Sequence, residues 1–563
     1  MVVGRVAIAL LIALVVAAGG LPDSTLADHA RAVDGPHATV AVVGDVILGG
    51  TVNSLAADRG ADFPLGNLAP LIDADLAIAN LESVATSRGE RGVEKSELVP
   101  YHFRARPETL AVLTAGGIDA VATANNHSGD FGPEAMLEQN ELLDEMGIAR
   151  VGSGRTRTEA CAPIYLAAGS GLRVALFSAD ATEPHFAAEG GEPGTCHLSL
   201  GDGAAWESEF AEPIADARRH AHAVLFAIHW GDDWVAEPSR EKRSLGQRLI
   251  ELGVDVVLGS NAHVLQGIER HEQGLILHDL GHALAPFENA ADSAIATLTV
   301  TPNGIESVAL DPIVADTDRA RLATGEEASR ILDRLVELSD DLDTSVAEGR
   351  VSLEGGPREV SPLLPDRLVS PIPAEAPDEA RDPPPGCVVD SVPEDARIEP
   401  IRVGPLTLVG AEAIRDRHLV PRLIGFDTYW TIDQPLDIDV QLVPHGTRDG
   451  TESALWLSTH DPCDWGWPTS RWEAATIYRD QADLRPPPEA LTARGAASVV
   501  SGVGGPLALS VGLERDGVEI ARSRELAQVE LGLPVPLTAG IGVVVVVLLI
   551  GAGIMLRRRR RRA

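Results

Sequence analysis

A chain of 563 residues with 45% hydrophobic and 23% charged residues has the composition of a folded protein, and it is too long for one ordinary core. Two or three domains are expected. The formal charge of −37, with lysine only at Lys95 and Lys242, excludes nucleic acid as a partner, because such a surface repels polyanions at long range.

At the amino terminus, Met1 to Ala27 carries Arg5, an apolar run from Val6 to Ala18, the helix breakers Gly19, Gly20 and Pro22, and Thr25-Leu26-Ala27 before Asp28. This is the pattern of a secretory signal peptide over residues 1–27. The alternative, an uncleaved anchor, has an apolar run short of the roughly 20 residues a bilayer-spanning helix needs. In either case the segment beginning at Asp28 is exported.

From His37 to Val314, short apolar runs alternate with segments of helical type, the rhythm of an α/β domain in which helices cover a sheet. The runs are Thr39–Val43, Leu76–Ala79, Ala120–Ala124, Val174–Phe177, Ala223–Ile228, Val254–Leu258 and Leu275–Leu277. Pro133–Met146, with Pro at its start and Gly147 after it, and Ser239–Leu252, stopped by Gly253, read as helices. Residues 315–345 form a helical extension, with Asp316–Leu342 at helical spacing, and residues 346–396, dense in Pro, Asp and Glu, read as an extended linker.

Residues 397–531 change to short β-rich runs, Leu406–Val409, Ile438–Val443, Ala454–Ser458 and Leu507–Leu513, and read as a smaller all-β sandwich domain. Its Trp430, Trp456, Trp465, Trp467 and Trp472 serve either core packing or stacking on sugars. Leu537–Leu556 is uncharged and long enough to span a bilayer, and Arg557 to Arg562 follow directly. The expectation is a transmembrane helix over 537–556, a cytoplasmic tail over 557–563, and a single-pass membrane protein whose bulk is extracytoplasmic.

Four cysteines, Cys161, Cys196, Cys387 and Cys463, are an even number in a compartment that permits disulfides. Three pairings are possible. Cys161 with Cys196, both in the α/β domain, and Cys387 with Cys463, both beyond it, are the preferred pairs, and no CxxC spacing argues for zinc.

The polar residues capable of chemistry follow the apolar runs directly, where an α/β sheet opens its binding crevice. Gly44-Asp45, Asn80-Leu81-Glu82, Asn125-Asn126-His127, His229-Trp230-Gly231-Asp232, Asn261-Ala262-His263 and Gly281-His282 each stand at a run's end. Alone, a Gly-Asp is a turn and a His is a hydrogen-bonded structural residue. Six such endings imply one site. Carboxylate, amide and imidazole donors without thiolate suit divalent ions such as Mn²⁺, Zn²⁺ or Fe, up to two of them. A carboxylate bridging two ions would acidify a bound water, which favours phosphoester or phosphoanhydride cleavage.

Val43-Gly44-Asp45, Asn80-Leu81-Glu82-Ser83, Ala124 to Gly132 with its Asn-Asn-His-Ser-Gly-Asp-Phe-Gly, and His229-Trp230-Gly231 together resemble the ordered motifs of the CapA family, known for poly-γ-glutamate capsule synthesis. The resemblance spans His37 to Val314 and implies a four-layer α/β/β/α metallophosphoesterase-like sandwich. It also implies roles. Asp45 and Glu82 are carboxylate ligands, Glu82 the bridge, and Asn80 ligates or orients. Asn126 and His229 hold the second ion, while His263 completes the first ion's shell. His127 faces the leaving group as acid or transition-state stabiliser, and Asp130 either fixes His127 or caps the following helix.

Two departures from the family's pattern stand out. Asn261 replaces the first imidazole of a His-Pro-His, which weakens that position as a ligand. In Asp279-Leu280-Gly281-His282-Ala283, His282 stands where an amide is usual and is a candidate compensating ligand. The expected function is metal-dependent hydrolysis or transfer on an anionic envelope polymer or a phosphorylated envelope intermediate, within a capsule-synthesis complex. The competing reading is a non-catalytic polymer-binding or wall-anchoring protein with a degraded metal site.

Overall fold

A computed structural model describes residues 35–529 apart from 92–94, 97–100, 202, 287–290, 317–318, 354–358, 364–366, 373, 375–376, 378–381, 416–423, 449–450, 454–459, 464–465, 485–506 and 516–517. The signal-peptide and transmembrane segments read from the sequence, the arginine tail, the run Ala454–Ser458 and the residues Trp456 and Trp465 lie outside the described residues. Among the described residues, no helix is long and apolar enough to cross a membrane.

Two sheets packed face to face make the amino-terminal domain. The first runs Ala320–Leu322, Gly304–Ala315, Ala291–Thr301, Ala38–Val46, Leu76–Leu81, Ala120–Ala122 and Ala149–Val151. His282–Leu284 pairs with Ala38–Val46, and Arg350–Ser352 with Gly304–Ala315. The second runs Ile268–His271, Gly274–Leu277, Val256–Ser260, Ala223–His229, Arg173–Asp180, Ile164–Ala167 and Leu368–Val369. Within each sheet the central strands are parallel. Strands buried on both faces read as continuous apolar runs, which is why Ala223–His229 is apolar at nearly every position.

Side-chain alternation sorts the layers. Val40, Val42, Leu76 and Ile78 meet Leu176, Leu225, Val256 and Leu258 between the sheets. The intervening Ala41, Val43, Ala77 and Ala79 face outward, under Val52, Leu71, Ile72 and Val112 of the helices Thr51–Arg59, Ala69–Ile72 and Ala111–Ala115. Phe177, Val224 and Phe226 pack beneath Phe210 and Ile214 of Gly203–His220 and Leu245 and Leu249 of Arg240–Leu252. The order is helices, sheet, sheet, helices. Ser239 caps Arg240–Leu252, its side chain accepting from Lys242 N, and Gly253 at φ 118° closes it.

The helical extension is shorter than its apolar spacing suggests. Ala320–Leu322 pairs as a strand with Gly304–Ala315, and the helix runs only Gly325–Asp340. The Pro- and acid-rich stretch is extended, yet it also packs: Arg350–Ser352 joins the first sheet and Leu368–Val369 the second.

Val388–Val389, Ile477–Leu484, Ile424–Thr431, Leu406–Arg415 and Arg397–Val403 form one sheet of the second unit; Thr451–Ser453, Gln441–Arg448, Leu507–Arg515, Val518–Arg522 and Ala527–Val529 form the other. Leu408, Phe426, Leu442, Leu509, Val511 and Leu513 fill the space between them. Trp430, Trp467 and Trp472 are buried in this core, so these three serve packing rather than sugar stacking. Cys161 is bonded to Cys196, and Cys387 to Cys463. The sandwich docks on the first domain through a buried ion pair, Arg106 Nη2 to Asp461 Oδ2 at 2.5 Å, with Ser54 donating to the same oxygen.

Candidate metal centre

Gly44 sets the first corner of the site. A Cβ here would lie 2.0 Å from the carbonyl oxygen of Gly281, so only glycine lets the Ala38–Val46 strand pass this close. The pairing with Leu76–Leu81 shifts register between Val43 and Asp45 and sets Asp45 opposite Asn80; across its other edge Asp45 stands opposite His282. In the second sheet His229 stands opposite both Asp180 and Ser260. Parallel strand ends from both sheets thus converge on one point, as open α/β sheets do at their binding crevices.

Asp45, Glu82 and His229 each offer a ligand atom within 4.8 Å of the others, and all three are buried. His229 Nε2 lies 3.5 Å and His263 Nε2 3.7 Å from Glu82 Oε1. His263 Nδ1 lies 3.4 Å from Asp45 Oδ2, and Asn126 Oδ1 lies 2.9 Å from His229 Nε2. Among the described residues, neither oxygen of Glu82 has a hydrogen-bond partner. A buried carboxylate without donors is costly unless a cation takes their place. With imidazole, carboxylate and amide oxygen around it, the donor set fits a divalent ion.

The electrostatics agree. Burial drives the Glu82 carboxyl well above the ordinary carboxylate range, and the charges of Asp45, Asp233 and Asp279 push the same way. Burial would also raise Asp45, but its hydrogen bond to His263, the charges of His263 and His229, and the hydrogen bond from Asn80 outweigh it and hold the group at about 2. Burial takes His229 down to about 4 against the pull of Asp45 and Asp180. His263 moves up, because Asp45 outweighs the burial that opposes its protonation. Charge is thus balanced between Asp45 and His263, and Glu82 has the most to gain from a cation.

The remaining polar residues orient this cluster. Asn80 Nδ2 donates to Asp45 Oδ1 at 2.8 Å, and Asn125 Nδ2 donates to Asn80 Oδ1 at 3.2 Å, so Asn80 orients the carboxylate. Ser260 Oγ lies 2.9 Å from His229 Nδ1 and fixes the ring from behind. Asp130 Oδ2 holds His127 Nδ1 at 2.7 Å and accepts from Phe103 N at 2.7 Å. The helix Pro133–Glu145 has Gly132 at its cap with no side-chain cap bond, so Asp130 fixes His127 and does not cap that helix.

Asn261 departs from the ligand role read from its position. Its Nδ2 donates to Gly231 O at 2.9 Å and Asp233 Oδ1 at 3.3 Å, while its backbone N–H donates to Asp45 Oδ2 at 3.3 Å. The side chain clamps a loop. His282 lies edge-on to His263, ring centroids 5.9 Å apart, and burial followed by the charge of His263 lowers it to about 3. It backs the His263 ring as a neutral imidazole.

Three contributors escaped the sequence reading. Lys95 donates to Asp130 Oδ1 at 2.8 Å, Ser260 supports His229, and Trp234 stands 5.4 Å from the His263 ring, centroid to centroid. A signal existed for Lys95: a chain with only two lysines has both buried.

A face-to-face pair of sheets covered by helices, with a buried carboxylate–imidazole cluster at the strand ends, defines an α/β sandwich domain with a candidate metal centre. Residues 39–286 match the family described as Bacterial capsule synthesis protein PGA_cap, and this domain belongs to the CapA family. It is 24% identical over 299 residues to the capsule biosynthesis protein CapA of Bacillus anthracis, covering 50% of this chain and 71% of that one. Identity to the PGA biosynthesis protein CapA of Bacillus subtilis (strain 168) is 25% over 275 residues, covering 48% and 70%.

Proposed function

We propose that the amino-terminal domain is a metal-dependent phosphoester- or phosphoanhydride-cleaving or transferring enzyme of the metallophosphoesterase type. It acts on a phosphorylated intermediate in the synthesis of an anionic envelope polymer of the poly-γ-glutamate kind. The observation that carries this reading is the buried Glu82 carboxylate, without a hydrogen-bond donor and flanked by Asp45, His229 and His263. The names of the two Bacillus relatives, a capsule and a PGA biosynthesis protein, support the pathway.

Asp45, Glu82, His229 and His263 would hold the ion, with Asn126 beside His229. A divalent cation supplies polarisation of a phosphoryl oxygen and acidification of water at such a site. Asn80 and Ser260 keep Asp45 and His229 in place. Asp130 binds His127 at Nδ1, so Nε2 is the nitrogen that passes a proton to a leaving oxygen. The signal peptide and the apolar 537–556 segment would place this domain outside the membrane, tethered and within reach of a polymer-synthesising complex.

The test is hydrolysis of bis(p-nitrophenyl) phosphate by the full chain in detergent with Mn²⁺, beside Asp45→Ala and His127→Ala. Activity that Asp45→Ala abolishes and His127→Ala cuts by about 10²-fold or more supports the reading. Activity absent from the parent, or unaltered in both variants, overturns it and leaves the polymer-binding alternative.

A further inference from the structure

The loop after His229 presents an aromatic ring to solvent at the edge of the metal centre. Trp234 is 52% and Val235 43% exposed, and exposed large apolar groups beside a cleft mark binding surfaces. The Trp234 ring lies 5.4 Å from that of His263 and 6.5 Å from that of His282. Elsewhere in the described residues the tryptophans Trp206, Trp230, Trp430, Trp467 and Trp472 are buried.

Its exposure is built. Trp234 adopts φ 61°, in the left-handed region, close behind the loop's glycine, Gly231, at φ 93°. A bulky residue held there is strained and persists only where its surroundings over-determine it. The surroundings do so from a single neighbouring loop. Asn261 Nδ2 donates to Gly231 O and Asp233 Oδ1, Trp234 N donates to Ala262 O at 2.9 Å, and Gln266 Nε2 donates to Val235 O at 2.6 Å. The amide at position 261, weak as a metal ligand, is well suited to this clamp because it donates to two acceptors at once.

The chemistry around the ring limits what it takes. Asp232, Asp233 and Glu237 are exposed beside it, so the rim is acidic and repels a chain bearing one carboxylate per residue. Carboxylates accept hydrogen bonds from hydroxyl groups, and an indole takes a flat apolar face. A sugar ring offers both. Resting on the metal-site reading, we infer that the substrate of this centre carries a hexose directly on its phosphate, with Trp234 stacking against the ring and Asp232 and Asp233 accepting from its hydroxyls.

The experiment measures the affinity of the full chain, supplied with Mn²⁺, for glucose 1-phosphate, glycerol 1-phosphate, adenosine 5′-monophosphate and tri-γ-glutamate, as a dissociation constant or as KM where an ester is turned over. Glycerol 1-phosphate reads the metal centre alone; the ratio between the glucose and glycerol esters reads the platform. The parent should prefer the glucose ester by about tenfold or more. Trp234→Ala should bring the two esters within about twofold of each other, and Trp234→Phe should retain most of the preference. Asp232→Asn should reduce it severalfold, and metal content measured on each variant verifies an intact site. A parent without preference, a preference untouched by Trp234→Ala at full metal content, or tighter binding of the nucleotide or the glutamate oligomer would overturn the inference while leaving the metal-site reading standing. Failure of both phosphoesters to bind defeats the metal-site reading and this one with it.

Discussion

Lys95 and Asp130 form an ion pair of 2.8 Å, Nζ to Oδ1, with both side chains closed to solvent. The other oxygen of that carboxylate holds His127 Nδ1 and the Phe103 N–H, so a single buried charge orders the acid, the wall behind it and the loop bearing Lys95. Removing one partner of a buried pair leaves an uncompensated charge and costs roughly 3–5 kcal/mol, whereas replacing both is far milder. Lys95→Met is expected to destabilise the first domain by that amount, and Lys95→Met with Asp130→Asn to recover more than half of it. Denaturant unfolding measures both; a single-variant loss under about 1 kcal/mol would show the pair to be ornamental.

Acid should weaken the fold in two stages. Burial lowers His278 to about 4, chiefly against the pull of Glu269. A histidine kept neutral in the fold stabilises fully above its unfolded value near 6.5, and that contribution is lost as pH falls from about 6.5 towards 4. Burial would raise Glu269, but hydrogen bonds from His278, Arg243 and Gln247 hold it at about 2, so its contribution is present above about 4.5 and is lost between there and 2. Melting temperature should therefore fall continuously below pH 6.5. Glu269→Gln should lower it at pH 7, by on the order of 2 kcal/mol in stability, and flatten the limb below pH 4.5. An unaltered limb would reject the assignment.

The bond from Cys387 to Cys463 closes a separation of 76 residues and ties the stretch ahead of the sandwich to its interior. Restricting the unfolded chain over such a loop is worth about 4 kcal/mol in the chain-entropy account. Cys387→Ser with Cys463→Ser should lower the sandwich's stability by about that much, measured as the denaturant midpoint of its own transition. A shift confined to the amino-terminal domain would contradict the placement of this bond.

How much of this was legible in the chain differs from residue to residue. The strand carrying His229 reads off the sequence because a strand buried on both faces is one continuous apolar run, and the predicted Ala223–Ile228 falls one residue short of the observed Ala223–His229. The helix Gly203–His220 does not, because Pro213 sits inside it and proline marks a break in any periodic reading. Asn261 was visible as an oddity but not as a clamp, since its partners Gly231 and Asp233 stand 30 and 28 residues away. Lys95 and Trp234 take their meaning from contacts across the fold, which no local pattern carries.

The central claim, that the polar strand ends form one divalent-metal centre built around Glu82, is tested most directly by equilibrium dialysis of the full chain against Mn²⁺ followed by elemental analysis, with Glu82→Gln beside it. Glutamine keeps the shape of the carboxyl and removes the charge that the site otherwise buries without a donor. The account predicts at least one tightly held ion per chain and affinity reduced about tenfold or more in Glu82→Gln, together with a metal-free variant at least as stable as the metal-free parent at pH 7, because without a cation the site disfavours the carboxylate form. A parent that retains no ion, or a variant that retains it equally well, would contradict it.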